Sequence, residues 1–104
     1  MAKAYTWVMH ISELGQTIAD IDFNNSVFPT EGYVGVSVPI KVAAMNVGNK
    51  EGIVHCELSV NGVVVKTDQQ IISAGDEYIF DMSITFQEAG DYNMEVKVWG
   101  EDEQ

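Results

Sequence analysis

The side chains best suited to nucleophilic or metal chemistry are two histidines and one cysteine: His10, His55 and Cys56. His55 and Cys56 are neighbours in an alternating segment, and successive side chains of a β-strand point to opposite faces. These two residues therefore cannot form a catalytic Cys–His pair. A zinc site takes three or four close ligands, and these three residues lie in different sequence contexts. We expect no catalytic residue, no zinc site and no enzymatic activity.

The acidic residues offer a different chemistry, because Ca²⁺ is bound by carboxylate and carbonyl oxygens. The candidates are Asp20 with Asp22, Asp76 with Glu77, and the acidic residues at 101–103. None of these groups follows the spacing of an EF-hand loop. We therefore expect no cofactor, with Ca²⁺ as the one ion that the sequence leaves open.

The charge balance restricts the partners that this chain can bind. It has 16 acidic residues, five basic residues that are all Lys, and a net charge of −11. Nucleic acids and anionic membranes are both bound through Lys and Arg, so this chain would be repelled by them. We expect protein partners, through self-association or a host assembly, and neither nucleic-acid binding nor membrane insertion.

The N-terminus contains no apolar run long enough for a secretory signal, and no segment approaches the roughly 20 apolar residues of a membrane span. The single cysteine cannot form an intramolecular disulfide, and its alternating apolar context predicts a buried, inert thiol. We expect a protein of the cell surface, the extracellular space or a virion that has no cleavable signal. Whether the chain is a whole protein or one domain of a longer one stays open.

The elements that would position these side chains follow from a dominant period of two, which is the signal of β-strands. Alternation and turn residues predict seven strands, and no segment has a helical period. Their ranges are 5–11, 17–23, 33–45, 53–60, 63–72, 77–86 and 92–99. Short strands at regular spacing are typical of an antiparallel β-sandwich or a small barrel.

Two of these segments give the clearest local expectations. Residues 33–45 place Val34, Val36, Val38, Ile40, Val42 and Ala44 on one face. Pro39 lacks a backbone donor and should lie where no partner needs one. After the strand 53–60, Asn61-Gly62 predicts a type I′ hairpin turn, because both residues tolerate positive φ.

The segment 88–94 resembles the entry to strand F of immunoglobulin-like domains, with Glu88, Gly90, Tyr92 and Met94 at the matching positions. In antibody domains the last position is a disulfide cysteine, and Met94 occupies it here. The resemblance implies an immunoglobulin-like or fibronectin-III-like antiparallel sandwich of about seven strands. It also implies that Tyr92 packs its ring in the core and bonds its hydroxyl to backbone across a corner.

A second resemblance covers about two thirds of the chain. Segments 40–48, 58–65, 73–77 and 90–98 look like the strand B, hairpin, turn and strand F patterns of CARDB domains, which are bacterial and archaeal surface domains linked to cell adhesion. We expect a single immunoglobulin-like domain over 1–104, with an N-terminal strand or hairpin extension at 1–23, a sandwich core at 33–99 and an acidic tail at 100–104.

The chain departs from the CARDB pattern at both ends, where the family has a further strand after strand F and a shorter N-terminal run. Our hypothesis is that the N-terminal run supplies that strand, or that a neighbouring chain supplies it by strand addition. An uncovered sheet edge would otherwise present unpaired N–H and C=O groups.

These features favour a non-catalytic structural or interaction module: an adhesion stalk, or an assembly or decoration unit that could belong to a virion. The alternative is an accessory domain that binds carbohydrate or Ca²⁺. Candidate interaction residues are the aromatic side chains Tyr5, Trp7, Tyr33 and Trp99. Trp99 lies on the phase opposite to the core, and we expect it to pack against the N-terminal run.

Overall fold

A computed structural model describes residues 2–6 and 17–101. In this part of the chain all regular structure is β, as the period of two predicts. The six strands are β1 (Ala19–Ile21), β2 (Lys41–Asn46), β3 (Gly52–Val60), β4 (Val63–Ile72), β5 (Glu77–Asp81) and β6 (Met94–Gly100). They form two antiparallel three-stranded sheets of order β1-β2-β5 and β4-β3-β6. No helix that could cross a membrane occurs in these ranges.

The core lies between the two sheets and is built from alternate residues of their central strands. Val42 and Ala44 of β2 face Val54, Cys56 and Leu58 of β3, and all five are buried. The remaining buried apolar residues are Val38, Ile40, Ala43, Ile72, Phe80 and Met82. The two layers with one shared core are consistent with the predicted β-sandwich.

The segment 33–45 is a strand only in its second half, which corrects the sequence-based prediction. Val34 and Val36 are 51% and 56% exposed, and β2 begins at Lys41. Gly35 has φ of 76°, and Val36 donates to the carbonyl of Tyr33, so the chain turns there. Val38 makes an isolated bridge to Ile84. The apolar alternation of 33–45 thus runs across a turn at Gly35, and the alternation alone does not show that the turn is there.

One predicted turn is confirmed in detail, and a predicted corner contact is confirmed in part. Asn61 and Gly62 have φ of 51° and 82° between β3 and β4, as a type I′ turn requires. The Tyr92 hydroxyl donates to the carbonyl of Glu88 at 2.6 Å. The Tyr92 ring packs on Phe86 with a centroid distance of 4.4 Å. The hydroxyl bond is the one expected of a corner residue, but the ring is only half-buried and lies outside the core cluster.

The predicted strand at 5–11 lies mainly outside the described residues, and the other six predicted strands correspond to β1–β6. The bounds of β4 are as predicted, β3 begins one residue earlier, and the other four strands are shorter than predicted. The most shortened are 33–45, which becomes a strand only from Lys41, and 77–86, which ends as β5 at Asp81. The structure therefore supports the sandwich but not the number of seven strands.

A buried amide fixes the end of the sandwich where β1, β2 and the β3–β4 pair meet. The Asn46 side chain is fully buried and donates to the carbonyls of Lys50 and Ile72, both at 2.9 Å. Its oxygen accepts from the N–H groups of Ile18 at 3.3 Å and Gly48 at 3.0 Å. All its polar atoms are thus paired, which is what burial of an amide requires.

Candidate functional site

The second sheet has two edge strands, because β3 is central and the described residues place no further strand beside β4 or β6. An edge strand presents N–H and C=O groups that can pair with another chain. The β4 and β6 edges differ in the regularity of their register with β3. They also differ in whether side chains bond their outward backbone groups, and in the apolar side chains that lie beside them. These differences identify β6 as the candidate site.

The direction of each backbone group of β6 follows from two hydrogen bonds at its ends. Asn61 donates to the carbonyl of Asn93 at 2.8 Å, and Glu101 donates to the carbonyl of Ile53 at 2.9 Å. Hydrogen-bonded pairs alternate with non-bonded pairs in an antiparallel ladder. Odd-numbered residues from 93 to 101 therefore bond β3, and the N–H and C=O groups of Met94, Val96 and Val98 point to the opposite edge.

The register of β6 against β3 is regular over seven residue pairs. The side chains of Val96 and Val98 face the core but stay only half-buried, and Met94 is 41% exposed. The same three residues thus combine edge-directed backbone groups with incompletely covered apolar side chains. A strand added at this edge would pair the backbone and extend the layer that covers the core.

Several features of the β4 edge make it less able to pair with a further strand. Its register shifts against β3 between Leu58 and Ser59, which marks a bulge, and bulges interrupt pairing. From 66 to 72, the even-numbered residues of β4 bond β3, because the odd-numbered residues of β3 bond β6. The N–H of Gln69 therefore points outward, and the Asp68 carboxylate accepts from it at 2.8 Å. The Gln70 amide likewise donates to the carbonyl of Ile71 at 3.4 Å. Capped N–H and C=O groups are poor templates for a further strand.

Trp99 lies on the outer face of the second sheet, opposite to the core, as its phase predicts. Its ring stacks on His55 with a centroid distance of 5.2 Å and an interplanar angle of 15°. Next to this pair a shallow, open groove of about 400 Å³ is lined by polar side chains that include Glu57, Thr67 and Gln69. The His55 imidazole also lies 3.9 Å from the Glu101 carboxylate.

The other aromatic candidates are not assembled around Trp99. Tyr5 and Tyr33 are 82% and 79% exposed, and neither lines the groove beside Trp99. Trp7 lies outside the described residues, and so does most of the N-terminal run against which Trp99 was expected to pack. Of the four aromatic candidates, the described part of the chain therefore places only Trp99 beside this groove.

The carboxylates predicted as Ca²⁺ ligands are partly regrouped by the fold. The side chains of Asp22 and Glu77, from two different predicted pairs, lie together with Asn25, whose amide donates to Asp22 at 2.8 Å and Glu77 at 3.4 Å. Desolvation, with a hydrogen bond to Asp22 and its charge, raises the pKa of Glu77. Among residues 2–6 and 17–101, no three His, Cys, Asp or Glu side chains are grouped as metal ligands.

Cys56 is buried as predicted, with its Sγ atom 3.4 Å from the Met82 Sδ atom. Burial, with a smaller contribution from the charge of Asp68, raises the pKa of the thiol to about 12. Nucleophilic attack needs the thiolate. The thiol is therefore held in its unreactive form at neutral pH.

The sequence pattern did not show which edge of the second sheet could pair with a further strand. Sequence alternation identified the apolar face of β6, but it does not show which backbone groups point away from the partner strand. That direction follows only from the strand order and from the bonds at Asn61 and Glu101. The Asp68-Gln69-Gln70 caps on β4 were likewise missed, since polar residues in a strand have many roles.

Comparison with known proteins adds no relative: the chain matches no family model, no curated protein and no solved structure. The functional argument therefore depends on the geometry of the chain itself.

Proposed function

We propose that this chain is a non-catalytic structural module that joins an assembly by accepting a β-strand at the edge of β6. The observation that carries the proposal is the combination at Met94, Val96 and Val98 of edge-directed backbone groups and half-covered apolar side chains. Strand addition satisfies both, because the incoming backbone pairs with the edge and its alternate side chains cover the apolar layer.

The energetics favour an interaction of moderate strength. Each added backbone hydrogen bond contributes about 0.5–1.5 kcal/mol net. Covering the exposed halves of Val96 and Val98 adds roughly 1 kcal/mol for each residue, from the value for a fully buried Val side chain. Association entropy opposes these terms, so a strand with several apolar side chains is needed for stable binding.

The added strand would complete the seven-stranded immunoglobulin-like sandwich that the sequence predicts. The Tyr92–Glu88 hydrogen bond just before β6 supports the resemblance to immunoglobulin-like domains, because it is the contact expected at the strand F corner. A CARDB-like adhesion stalk, or a decoration unit of a virion, would use such a module at a cell or particle surface. The acidic surface would keep it soluble until it is assembled.

The proposal is tested by light scattering on the full chain over a range of concentrations. Val96→Pro removes an N–H that points to the open edge, and Thr67→Pro removes an equivalent N–H from β4. We expect Val96→Pro to weaken association at least about tenfold, a change of 1.4 kcal/mol, and Thr67→Pro to leave it unchanged. Val98→Pro is the second β6 variant, and circular dichroism verifies that each variant is folded.

Equal association of folded β4 and β6 variants would contradict the proposal, and so would a wild-type chain that stays monomeric and binds no strand. Because both substitutions place proline in a strand of the same sheet, a general effect on folding would affect both. A loss confined to β6 therefore reports on the edge and not on the sandwich.

The groove beside Trp99 favours a second candidate function, carbohydrate binding. An indole next to the polar side chains of Glu57, Thr67 and Gln69 combines an apolar surface with hydrogen-bonding groups. The His55 ring already occupies one face of the indole, so a sugar would use the remaining face and the groove. A glycan array without hits, or binding that persists in Trp99→Ala, would eliminate this candidate.

A further inference from the structure

The strand that β6 accepts can be assigned from the chain itself. We infer that it is the segment 5–11 of a second copy, so that the N-terminal segment of each copy pairs with the β6 edge of the next. This inference rests on the proposed function, which identifies the edge, and adds its occupant. It is supported by segment length, side-chain alternation and charge.

The segment matches the edge in length and in pattern. It contains seven residues, as β6 does, and is rich in the aromatic and β-branched residues that favour strands. Its odd positions are all large and apolar: Tyr5, Trp7, Met9 and Ile11. In an extended segment these four side chains point to one side. That side would cover the apolar layer at Val96 and Val98.

The charge distribution of the chain favours this occupant. All 16 acidic residues lie at position 13 or later, and Lys3 is the one Lys among residues 1–12. The β6 strand and its continuation are acidic, with Glu95 and Glu101 against Lys97. A segment that carries acidic residues would be repelled by this edge. The N-terminal segment carries none, and the longest other stretch without an acidic residue, 32–50, already contributes β2 to the first sheet.

The described residues favour a second copy over the same copy. Residues 2–6 belong to no strand. The beginning of the segment is therefore in no β-ladder with β6 of its own chain. Donation from one copy to the next joins two different surfaces, so the contact is heterologous, and it generates a closed ring, with reciprocal exchange between two copies as the smallest case, or an open row of copies.

The first test compares two lysine substitutions on the full chain. Trp7→Lys places a charge on the side that would cover the apolar layer, and Thr6→Lys places the same charge on the opposite side. We expect Trp7→Lys to raise the dissociation constant of self-association at least about tenfold, and Thr6→Lys to change it less than about threefold. Equal effects of the two variants would overturn the inference.

The second test traps the contact with a disulfide between two single variants. One copy carries a cysteine at Thr6, Val8 or His10, and the other carries Lys97→Cys on the outer face of β6, with Thr67→Cys on β4 as the control. We expect a disulfide-linked heterodimer with Lys97→Cys at one of the three positions at least, and none with Thr67→Cys. Buried Cys56 does not interfere, since its thiol is protected.

The outcomes separate the inference from the proposed function. Loss of association in Val96→Pro, without an effect of Trp7→Lys and without the trapped heterodimer, would leave β6 as the site and overturn its occupant. A chain carrying both Val8→Cys and Lys97→Cys that forms only an internal disulfide would show that the segment binds its own copy, which also overturns the inference. Insensitivity to Val96→Pro would contradict the proposed function itself.

Discussion

Replacing Asn46 by alanine should remove the polar contacts that join three parts of the sandwich. The amide bonds the carbonyls of Lys50 and Ile72 and the N–H groups of Ile18 and Gly48, at distances of 2.9 to 3.3 Å. The Ile72 contact is buried, and the other three are partly accessible. Alanine removes one buried bond from the Ile72 carbonyl, which keeps its ladder partner on β3, and three bonds that water can replace in part.

The expected loss follows from these contacts. Each of the four bonds contributes about 0.5–1.5 kcal/mol. The total is about 2–6 kcal/mol, against the 5–15 kcal/mol typical for a whole domain. For a domain of about 100 residues, 1 kcal/mol lowers Tm by roughly 4–8 °C. Asn46→Ala should therefore lower Tm by at least about 8 °C.

The measurement is urea unfolding of both proteins at a low concentration, where self-association does not contribute. Asn24→Ala, in an exposed loop position, is the matched control and should change the free energy of unfolding by less than about 0.5 kcal/mol. A loss below about 1 kcal/mol in Asn46→Ala would refute the reasoning, because a paired, buried amide would then be dispensable.

Three further results are expected. Tyr92→Phe removes the 2.6 Å bond to Glu88 and should cost about 1 kcal/mol in thermal unfolding, whereas an unchanged Tm would mean that the corner needs only the ring. Cys56, with a pKa of about 12, should react with a thiol reagent at neutral pH only after denaturant is added, and rapid labelling of the native protein would contradict its burial. The pKa of Glu77 is raised above its ordinary value, so ionisation of its carboxyl group at neutral pH destabilises the folded state. Glu77→Gln should raise Tm at pH 7, with a gain that disappears below about pH 4.5 and is absent in Glu95→Gln.

The sequence predicted what depends on local periodicity and turn chemistry. Alternation identified β3, whose Val54, Cys56 and Leu58 are buried, and Asn61-Gly62 identified its hairpin. The same periodicity failed at 33–45, where a turn at Gly35 leaves Val36 exposed. An apolar alternation continues through a turn if the residues after it still face the core, so only the backbone conformation reveals the break.

The candidate site was predictable only in part. The sequence predicted that the ends of the chain depart from the family pattern and that a strand is added beside strand F. It placed the candidate contacts on aromatic residues, whereas the structure points to Val96 and Val98. Aromatic residues are easy to recognise in a sequence. The ability of an edge to pair with another strand depends instead on strand order and on which backbone groups point outward, and both are properties of tertiary structure.

The central claim concerns the edge of β6, and amide hydrogen exchange tests it at single residues. Exchange is measured by NMR on the full chain at low and high protein concentrations. The account predicts that the amides of Val96 and Val98 become protected as the chain associates, while those of Thr67 and Ile71 on β4 do not. Protection that rises equally at both edges, or association that leaves Val96 and Val98 unprotected, would contradict it.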